Sequence, residues 1–536
     1  MRKTLLQPAE VYVYKDDWIH SRKDGFEFEI ARKESFLSLK VQKKDSEYNY
    51  TFLTSDRNAI PIKYDSKFVY TATIKGNVSD SLDVQLIVKG TGEGKQITSQ
   101  YIGMDVEKIL SFPANINNLE LMLRVSGTGE ANIEEVSISC YDAPLKDIEQ
   151  SIYDLNEEAD YLVLTNVYPE KNNLYRNMFV HRRAELYQEN GASVDIFRLN
   201  AKETSLAYYK FNNTFVLSGG KEELTNVLNA KKYKKILIHF VDHHMIESIE
   251  ASQAAKMPIL IWIHGVETEK WYRRWFNFSG DAAALEKTLA SIKENKKRTD
   301  FMKSVYESKT LNIKFIFVSK WFKEAVAEAD TNAFVEDYSI IHNVVDDKMF
   351  DYVPKDANQR KKILSIRPFA SHKYANDLSV KAILALSQKD YFEEFEFNIY
   401  GHGVLFDKTL EPIKHFSNVH IHNYFLPQTE IAKLHKEHGI FLCPTRLDSQ
   451  GVSMCEAMSS GLIPITNGVT AIPEFVDDEC GCLAGREDSQ GLADAIDFLY
   501  HHPEEFQKKS HEAAKRMRKQ CSIEKVINEE LAEIYH

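Results

Sequence analysis

The feature that most constrains the fold of this chain is a change of hydrophobic pattern near residue 158. Before that point, short segments alternate between apolar and polar residues, and after it short apolar segments alternate with helical ones. A period of two is typical of a strand with one buried face, whereas continuous apolar runs between helices are typical of parallel strands covered on both faces. We therefore expect an all-β region followed by α/β regions.

The alternating segments of the N-terminal part predict an antiparallel β-sandwich over residues 1–150. They include Phe26–Ile30, Leu82–Val88 and Leu119–Val125, and glycine-containing turns separate them. The strand order resembles that of jelly-roll carbohydrate-binding modules, and a structural or partner-binding role stays open beside sugar binding. We expect the aromatic residues Trp18 and Tyr101 to belong to the core rather than to a sugar platform.

After residue 158 the buried strands fall into two series, each typical of a doubly wound domain. The first series includes Tyr161–Leu164, Lys235–His239 and Ile259–Ile263, and the second begins at Lys362–Ile366. We predict Rossmann-like domains over residues 151–355 and 356–536, with the last helix crossing back to the first of them. Folds of this kind bind ligands beyond the carboxyl ends of their strands.

Composition limits the class of protein. Hydrophobic residues make up 43% of the chain and charged residues 27%, as in an ordinary globular protein. The formal net charge of −12 argues against nucleic acid as the main partner. The apolar run Pro258–Ile263 is far shorter than the roughly 20 residues of a spanning helix, and the N-terminus lacks the apolar run of a signal peptide. We expect a cytoplasmic protein, at most peripheral to the inner face of a membrane.

The cysteines do not indicate a metal site or a disulfide framework. The six are scattered, and Cys480 and Cys482 form the only close pair in sequence. No second pair and no histidine cluster completes a zinc site. We therefore expect free thiols in a reducing compartment.

The segment Asp448–Gly461, with the sequence DSQGVSMCEAMSSG, predicts a loop that enters a short helix at Gly451. The free N–H groups of a helix start hold phosphate oxygens without a metal. Asp448 and Glu456 flank this turn, and carboxylates suit hydroxyl groups rather than phosphate. A ligand with hydroxyls on both sides of a diphosphate is a nucleotide sugar.

From about residue 158 to its end, the chain resembles glycosyltransferase family 4 in the order of several motifs. The matching segments are Ile341–Asp346 followed by Phe350, Ser365–Lys373 for the pattern G-R-x-x-x-x-K, Tyr400–Gly403, Asp448–Glu456 for the E-x7-E motif, and Pro473-Glu474. The resemblance implies the GT-B fold, in which two Rossmann-like domains face each other. It also implies a retaining, metal-independent enzyme without a cofactor, whose donor substrate is a nucleotide sugar, by preference UDP-linked.

The resemblance assigns a phosphate grip to two cations. Arg367 and Lys373 are expected to bind the diphosphate and to stabilise the charge that grows on the leaving nucleotide. Without a metal, positive side chains and helix-start N–H groups must absorb that charge. The grip is completed by the backbone N–H groups of Gly451, Val452 and Ser453.

The resemblance also assigns roles around the sugar. Glu456 is expected to bind the ribose, and Asp448, in the place of the family's first glutamate, to face the donor sugar. A loop aspartate that caps the helix is the alternative for Asp448. His264, at the end of a predicted strand, is expected near the reacting centre, with simple packing as its alternative.

The resemblance also implies donor contacts of Gly401, at the end of a predicted strand, and of Glu474 in the Pro473-Glu474 match. Asn423 lies in the loop that is expected around the base. In the first loop of the 151–355 domain, Arg176 stands where relatives carry a glycine-rich turn, and it could serve as a cation. His239 and Asp242-His243-His244 could suggest a metal, but the family requires none.

The hypothesis is transfer of a hexosyl unit from a nucleotide sugar to a hydroxyl acceptor, with retention of the anomeric configuration. The acceptor is expected to be a glycan, a polymer or a lipid-linked molecule in the synthesis of a bacterial cell-surface polysaccharide, teichoic acid or glycoconjugate. The alternative is a catalytically weak glycosyltransferase-like subunit that binds glycan and supports a partner enzyme, and a homo-oligomer stays open. A dehydrogenase is disfavoured because no G-x-G-x-x-G follows a predicted strand.

Overall fold

A computed structural model describes residues 7–13, 18–20, 22, 24–44, 47–55, 62–93, 95–156, 159–171 and 177–536. Arg176 lies outside these residues. Contacts divide the chain into two compact units. The first is Met1–Ile261 with Thr310–Asn312, and the second is Trp262–Lys309 with Ile313–His536. The boundaries predicted near residues 150 and 355 stay a prediction.

The N-terminal part of the first unit consists of antiparallel strands. They are β1 (Glu10–Val13), β2 (Trp18–Ile19), β3 (Phe26–Arg32), β4 (Leu37–Lys43), β5 (Thr51–Ser55), β6 (Ile62–Lys63), β7 (Val69–Val78), β8 (Leu82–Gly92), β9 (Lys95–Ile102), β10 (Glu107–Leu110), β11 (Asn118–Gly127) and β12 (Gly129–Tyr141). One sheet has the order β10-β7-β12-β4-β3, with β1 on β12, and the other has the order β2-β5-β11-β8-β9, with β6 on β11. The predicted antiparallel β-rich region is confirmed, and its description as a sandwich stays a prediction.

The period-two pattern explains the core of this region. In β8 the residues Val84, Leu86 and Val88 are all 0% exposed, because alternate side chains of a strand point to one face. Trp18 is buried, as predicted, at 4% exposure. The prediction for Tyr101 is wrong, since this residue is 52% exposed. It lies on the edge strand β9 between the buried Gln100 and Ile102, so its side chain points to the opposite, open face.

The α/β part of the first unit continues one of these sheets. Its elements are α1 (Leu145–Tyr153), β13 (Tyr161–Thr165), α2 (Met178–Glu189), β14 (Val194–Leu199), β15 (Ala207–Phe211), β16 (Thr214–Gly219), α3 (Lys221–Ala230), β17 (Lys235–His239) and α4 (His243–Glu250). Strands β17, β13, β14 and β16 are parallel neighbours in that order, and β15 runs antiparallel to β16.

The link between the two parts is the antiparallel pair β10–β15. Glu107 lies opposite Tyr208 and Lys108 opposite Ala207, and the Tyr208 hydroxyl donates to Glu107 Oε2 at 2.6 Å. The all-β region and the α/β region of this unit therefore share one hydrogen-bonded sheet. The sequence reading identified neither β15 nor this pairing, because it joins residues about 100 positions apart.

The N-terminal part of the second unit contains the short parallel strand pair β19–β20 and several helices. After β18 (Pro258–Ile263), which spans the boundary between the units, come a 3-10 helix (Trp271–Asn277), α5 (Ala282–Ala290), α6 (Ile292–Tyr306), β19 (Asn312–Phe317), a π-helical turn (Phe322–Glu328), α7 (Ala329–Thr331) and β20 (Tyr338–Ile340). Phe315, Ile316 and Phe317 of β19 pair in parallel with β20.

The rest of the second unit is a six-stranded parallel sheet with its helices. The elements are β21 (Lys362–Ile366), α8 (Asn376–Leu386), β22 (Glu396–Tyr400), α9 (Phe406–Leu410), β23 (Val419–His422), α10 (Gln428–Glu437), β24 (Ile440–Leu442), α11 (Val452–Ser459), β25 (Ile463–Asn467), β26 (Cys482–Ala484), α12 (Ser489–His501), α13 (Pro503–Cys521) and α14 (Ile523–Tyr535). Successive residues pack on opposite faces: Ile363 and Ile440 belong to one buried cluster, Leu364 and Phe441 to another. The continuous apolar strands of the sequence are explained by this burial on both faces.

The last helix, α14, packs against strands from the beginning of the second unit. Trp262 Nε1 donates to Glu530 Oε1 at 3.2 Å, and Lys314 Nζ lies 2.7 Å from Glu533 Oε2. Glu533 Oε1 also accepts a hydrogen bond from Ser339 Oγ at 2.5 Å. These contacts attach the C-terminal helix to the end of β18, to β19 and to β20.

The strand order of the six-stranded sheet positions its crevice. The order is β23-β22-β21-β24-β25-β26, so the chain moves outward to one side from β21 and to the other side from β24. The loops that follow β21 and β24 therefore diverge and leave a crevice between them. In open α/β sheets this switch point is the place where ligands bind.

No helix of the described residues is long and apolar enough to cross a membrane.

Candidate functional site

The loop after β21 places Arg367 at the switch point. Its backbone N–H donates to Tyr400 O at 3.0 Å, which ties the loop to the end of β22. A Cβ on Gly401 would lie 2.0 Å from the Arg367 carbonyl oxygen, so only glycine allows this close approach. Gly401 therefore packs directly against the backbone of Arg367.

The Arg367 guanidinium is buried and only partly satisfied. The residue is 5% exposed, its Nη1 donates to Ser453 Oγ at 3.0 Å, and its Nε has no hydrogen-bond partner among the described residues. A buried cationic donor without a partner is costly unless something else accepts its hydrogen bond. A ligand that accepts a hydrogen bond from Arg367 Nε would remove this cost.

Lys373 lies beside Arg367 on the same loop. The Arg367 guanidinium carbon lies 5.0 Å from the centre of the Tyr374 ring, and Lys373 Nζ lies 5.6 Å from it. Within residues 177–536, no carboxylate forms a salt bridge with either cation. The structure therefore brings two predicted site cations close to one aromatic ring, and no carboxylate of residues 177–536 lies within salt-bridge distance of them.

The loop after β24 ends at the start of α11. Gly451 has φ of +80° and forms the N-cap, a left-handed conformation that favours glycine. No side chain of residues 177–536 accepts a hydrogen bond from the first turn of α11 as a cap. The N–H groups of Val452 and Ser453 have no intrahelical partner in such a turn, so they can bind an anion.

Asp448 supports this turn. Its Oδ1 accepts hydrogen bonds from the Gly451 N–H at 2.9 Å and from the Gln450 N–H at 3.5 Å. The Thr470 hydroxyl oxygen accepts the Asp448 N–H at 3.2 Å. These contacts are those expected of a loop aspartate that orders the helix start, and the role facing the donor sugar stays a prediction.

Glu456 lies one turn further along α11. It is half-buried, and Gln428 Nε2 on α10 donates to its Oε1 at 3.5 Å. Val452 and Glu456 are four positions apart, so they share one face of the helix. This arrangement keeps the carboxylate close to the uncapped helix start.

The ends of β22 and β23 form the next part of the crevice edge. Asn423 Oδ1 and His402 Nδ1 are 2.8 Å apart, and both residues are exposed. Phe425 is 61% exposed, and its ring centre lies 5.8 Å from that of His402. The predicted donor residue Asn423 is therefore part of an exposed polar and aromatic rim.

Glu474 is engaged in a contact that the sequence did not suggest. Its Oε1 accepts the Trp321 N–H at 2.6 Å, and its Oε2 accepts the Lys320 N–H at 2.9 Å. Both carboxylate oxygens thus satisfy the start of the helical segment that contains the π-helical turn. The predicted donor contact of Glu474 would have to be made in addition to these bonds.

His264 follows β18 in a tightly held turn. Its N–H and that of Gly265 donate to the two oxygens of Glu267, at 3.3 Å and 2.8 Å. Burial raises the pKa of Glu267 above its ordinary value, although these backbone hydrogen bonds oppose the shift. The chain then leads into the 3-10 helix Trp271–Asn277. This helix contacts the loop of residues 367–375 after β21, which we call the Lys373 loop. Ser371 Oγ of this loop donates to Asn277 Oδ1 at 2.7 Å.

Two residues of the site and one side-chain contact were not identified from the sequence. The residues are Tyr374, whose ring centre lies 5.0 Å and 5.6 Å from the two cations, and Arg446, whose N–H donates to the Lys373 carbonyl oxygen. The contact is the hydrogen bond from Arg367 to the Ser453 hydroxyl. Tyr374 follows Lys373 directly, so an aromatic residue inside a cationic loop was the available signal. The sequence gives no comparable signal for Arg446, because its partners lie in distant loops.

The described residues offer neither a cluster of metal ligands nor, at Cys443, a reactive thiol. Among the described residues, no group of three or more His, Cys, Asp or Glu side chains could hold a metal ion. Asp242 instead accepts hydrogen bonds from the N–H groups of His244 and Met245 at the start of α4. Burial raises the pKa of Cys443 to about 12, although the nearby Arg367 opposes the shift, so this thiol is not a nucleophile near neutral pH.

Several solved structures have a fold similar to that of this chain. A glycosyltransferase from Rickettsia africae ESF-5 is 12% identical and matches over 70% of this chain and 98% of that chain, with a TM-score of 0.51. Sucrose-phosphate synthase from Thermosynechococcus elongatus is 14% identical over 70% of this chain and 98% of that chain, also with a TM-score of 0.51. A mutant of S. aureus TarM, solved with Fondaparinux, alpha-GlcNAc-glycerol and UDP, is 15% identical over 93% of this chain and 80% of that chain, with a TM-score of 0.45.

The first two similarities confirm the predicted GT-B fold. In addition, residues 360–502 match the family described as Glycosyl transferases group 1. The matched segment contains every predicted site residue except His264. A search of curated protein sequences found no significant match.

Proposed function

We propose that the protein is a retaining glycosyltransferase that moves a hexosyl unit from a nucleotide sugar, by preference UDP-linked, to a hydroxyl acceptor. The observation that carries the proposal is the pair Arg367 and Lys373, which have no carboxylate partner in residues 177–536 and lie on the loop beside the uncapped start of α11. A diphosphate would supply the negative charge and the acceptor oxygens that this arrangement lacks.

The charges of the site suit the departure of a nucleotide. In the proposed reaction, the bond between the anomeric carbon and the phosphate oxygen breaks, and the electron pair leaves with the nucleotide. The Arg367 and Lys373 side chains and the helix-start N–H groups stabilise the growing negative charge, so a metal is not needed. The acceptor oxygen attacks from the same face, and its proton passes to the departing phosphate oxygen.

The positions of the other residues support secondary roles. Glu456 is proposed to bind the ribose hydroxyls. The exposed residues His402, Asn423 and Phe425 are proposed to surround the base. His264 is proposed to contact the sugar or the acceptor. We expect the acceptor to be a glycan, a polymer or a lipid-linked glycan of a cell-surface polymer, and the site of action to be the cytoplasm or the inner face of the membrane.

The experiment is a screen of nucleotide sugars against the full chain. Thermal stabilisation identifies the donor, because a ligand that binds only the folded state raises the apparent stability by mass action. Release of the free nucleotide, measured with candidate acceptors, then tests for transfer. The proposal is contradicted if neither UDP-, GDP- nor ADP-linked sugars stabilise the protein or release nucleotide.

A second candidate function is a glycosyltransferase-like subunit that binds a donor or glycan without turnover. Two observations favour it: Asp448 Oδ1 orders the Gly451 turn, and both oxygens of Glu474 satisfy a helix start. Replacement of Asp448 by Asn keeps an acceptor oxygen for the Gly451 N–H but removes the charge. Equal nucleotide release by wild type and Asp448→Asn assigns Asp448 to the turn, whereas stabilisation by a donor without any release favours the subunit.

A further inference from the structure

Arg446 has an unusually complete set of hydrogen bonds. Its Nε and Nη2 donate to the two oxygens of Glu487, each at 2.7 Å. Its Nη1 and Nη2 donate to the two oxygens of Asp377, each at 2.8 Å. Nη1 also donates to the His372 carbonyl oxygen at 2.8 Å. All five N–H donors of the guanidinium therefore have a partner.

These bonds join three loops at the carboxyl edge of the sheet. Arg446 follows β24, Glu487 follows β26, and Asp377 lies in the first turn of α8 directly after the Lys373 loop. The Arg446 side chain is 8% exposed. Burial alone would raise the pKa of Asp377, but the hydrogen bonds and charge of Arg446 hold it below its ordinary value. The Asp377 carboxylate is thus held in its ionised form by Arg446.

Arg446 also holds the backbone of the Lys373 loop. The Arg446 N–H donates to the Lys373 carbonyl oxygen at 2.9 Å, and its Nη1 holds the preceding carbonyl, that of His372. Two consecutive carbonyl groups are therefore fixed by one arginine. The Lys373 side chain can reach a phosphate only from the position that this backbone gives it.

We propose that Arg446 is a positioning residue: it fixes the Lys373 loop so that the Lys373 ammonium and the Arg367 guanidinium bind the same diphosphate. The inference rests on the proposed function for the identity of the ligand. Arg446 itself has no free N–H donor and does not contact the ligand. Lysine cannot replace it, because an ammonium group lacks the planar fork that pairs with two carboxylates at once.

The test is a double-mutant cycle with Lys373→Ala and Arg446→Gln in the full chain. The measured quantity is the affinity for UDP, determined by calorimetry. We expect Lys373→Ala and Arg446→Gln each to weaken UDP binding by about tenfold or more, the scale of one charge-assisted hydrogen bond. The double variant should bind no more weakly than Lys373→Ala alone, because Arg446 acts through Lys373. Arg446→Lys should restore little of the affinity.

The matched control is Arg516→Gln. Arg516 Nη1 donates to Asp477 at 2.6 Å in the same part of the chain, but it does not hold the Lys373 loop. We expect this variant to bind UDP like the wild type. Because Arg446→Gln could fail to fold, Glu487→Gln is measured as well; it leaves the Asp377 pair in place and should weaken UDP binding by a smaller factor.

The outcomes separate the two proposals. If the wild type binds none of UDP, GDP and ADP, the proposed function fails, and this inference fails with it. If the wild type binds UDP while folded Arg446→Gln and Glu487→Gln bind it equally well, the positioning role alone is overturned. Losses of Arg446 and Lys373 that multiply in the double variant also overturn it, since they indicate a general structural role.

Discussion

The charged residues of the N-terminal antiparallel sheets and those at the carboxyl edge of the C-terminal parallel sheet are arranged differently. In the antiparallel sheets, cations pair with carboxylates across strands: Lys75 Nζ lies 2.8 Å from Glu135 Oε2, and Arg124 Nη1 lies 3.4 Å from Asp83 Oδ2. At the parallel edge, Arg367 is buried with an unpaired Nε, and neither it nor Lys373 has a carboxylate partner in residues 177–536. These pairs of the antiparallel sheets are satisfied within the protein. At the parallel edge, Arg446 is paired with two carboxylates, whereas Arg367 Nε has no partner among the described residues.

The largest effect should come from removing the buried cation. We expect Arg367→Ala to lower nucleotide release by about 100- to 1,000-fold, the usual loss when one preorganised donor to a developing negative charge is removed. The fold should persist, because the change removes a group whose Nε is unsatisfied. Steady-state release of nucleotide from the donor found in the screen measures the effect. A variant with wild-type turnover would contradict the site assignment.

A smaller loss is expected at the predicted ribose contact. Glu456→Gln keeps the shape of the side chain and removes its charge, and a hydrogen bond to a charged group contributes roughly 1.5–3 kcal/mol. The affinity for the donor should therefore fall by about 10- to 100-fold, as measured by titration calorimetry. The neighbouring Ser459, whose hydroxyl donates to Phe350 O at 2.8 Å, offers a control: Ser459→Ala should change stability rather than donor affinity. Equal affinity of wild type and Glu456→Gln would remove Glu456 from the site.

Acid should destabilise the C-terminal region through a buried histidine that is not part of the crevice. Burial lowers the pKa of His435 from 6.5 to about 3. Between these values the unfolded chain binds a proton that the folded chain does not, so stability is lost as pH falls from 6.5 towards 3. The slope from this one group reaches about 1.4 kcal/mol per pH unit. Thermal unfolding of wild type and His435→Gln across this range measures it: the variant curve should be flatter, and parallel curves would contradict the assignment.

The smallest effect is expected in the antiparallel sheets. Lys75 and Glu135 are 52% and 34% exposed, and an exposed ion pair contributes little. Lys75→Ala should therefore change the free energy of unfolding by about 0.5 kcal/mol or less and leave nucleotide release unchanged. A loss of turnover in this variant would show that the contrast between the two regions is wrong, because it would place a functional residue in the antiparallel sheets.

The sequence predicted those parts of the molecule that depend on local patterns. The strands Lys235–His239 and Lys362–Ile366 have the predicted bounds, because continuous apolar runs are specified by burial on both faces. The loop cations and the Gly451 turn could likewise be predicted, since spacing in one short segment places them. The GT-B fold followed from the same patterns together with the family resemblance.

Contacts between distant segments could not be predicted. The carboxylate of Glu474 satisfies N–H groups of Lys320 and Trp321, more than 150 positions away, and nothing near Pro473 indicates it. The carboxylate partners of Arg446 lie at the start of α8 and in the loop after β26. The exposure of Tyr101 depends on β9 being an edge strand, which is a property of the whole sheet and not of its own sequence.

The pairing of β10 with β15 has a consequence for the synthesis of the chain. Strand β10 is paired with β7 on one side, and its other side is completed by residues 206–208. While the ribosome is still translating the intervening segment, the N-terminal sheet therefore has an open edge, the kind of surface that pairs with other chains. A fragment that stops at residue 150 would retain this edge permanently. Its tendency to aggregate would then reflect the missing strand and not the intrinsic stability of the β region.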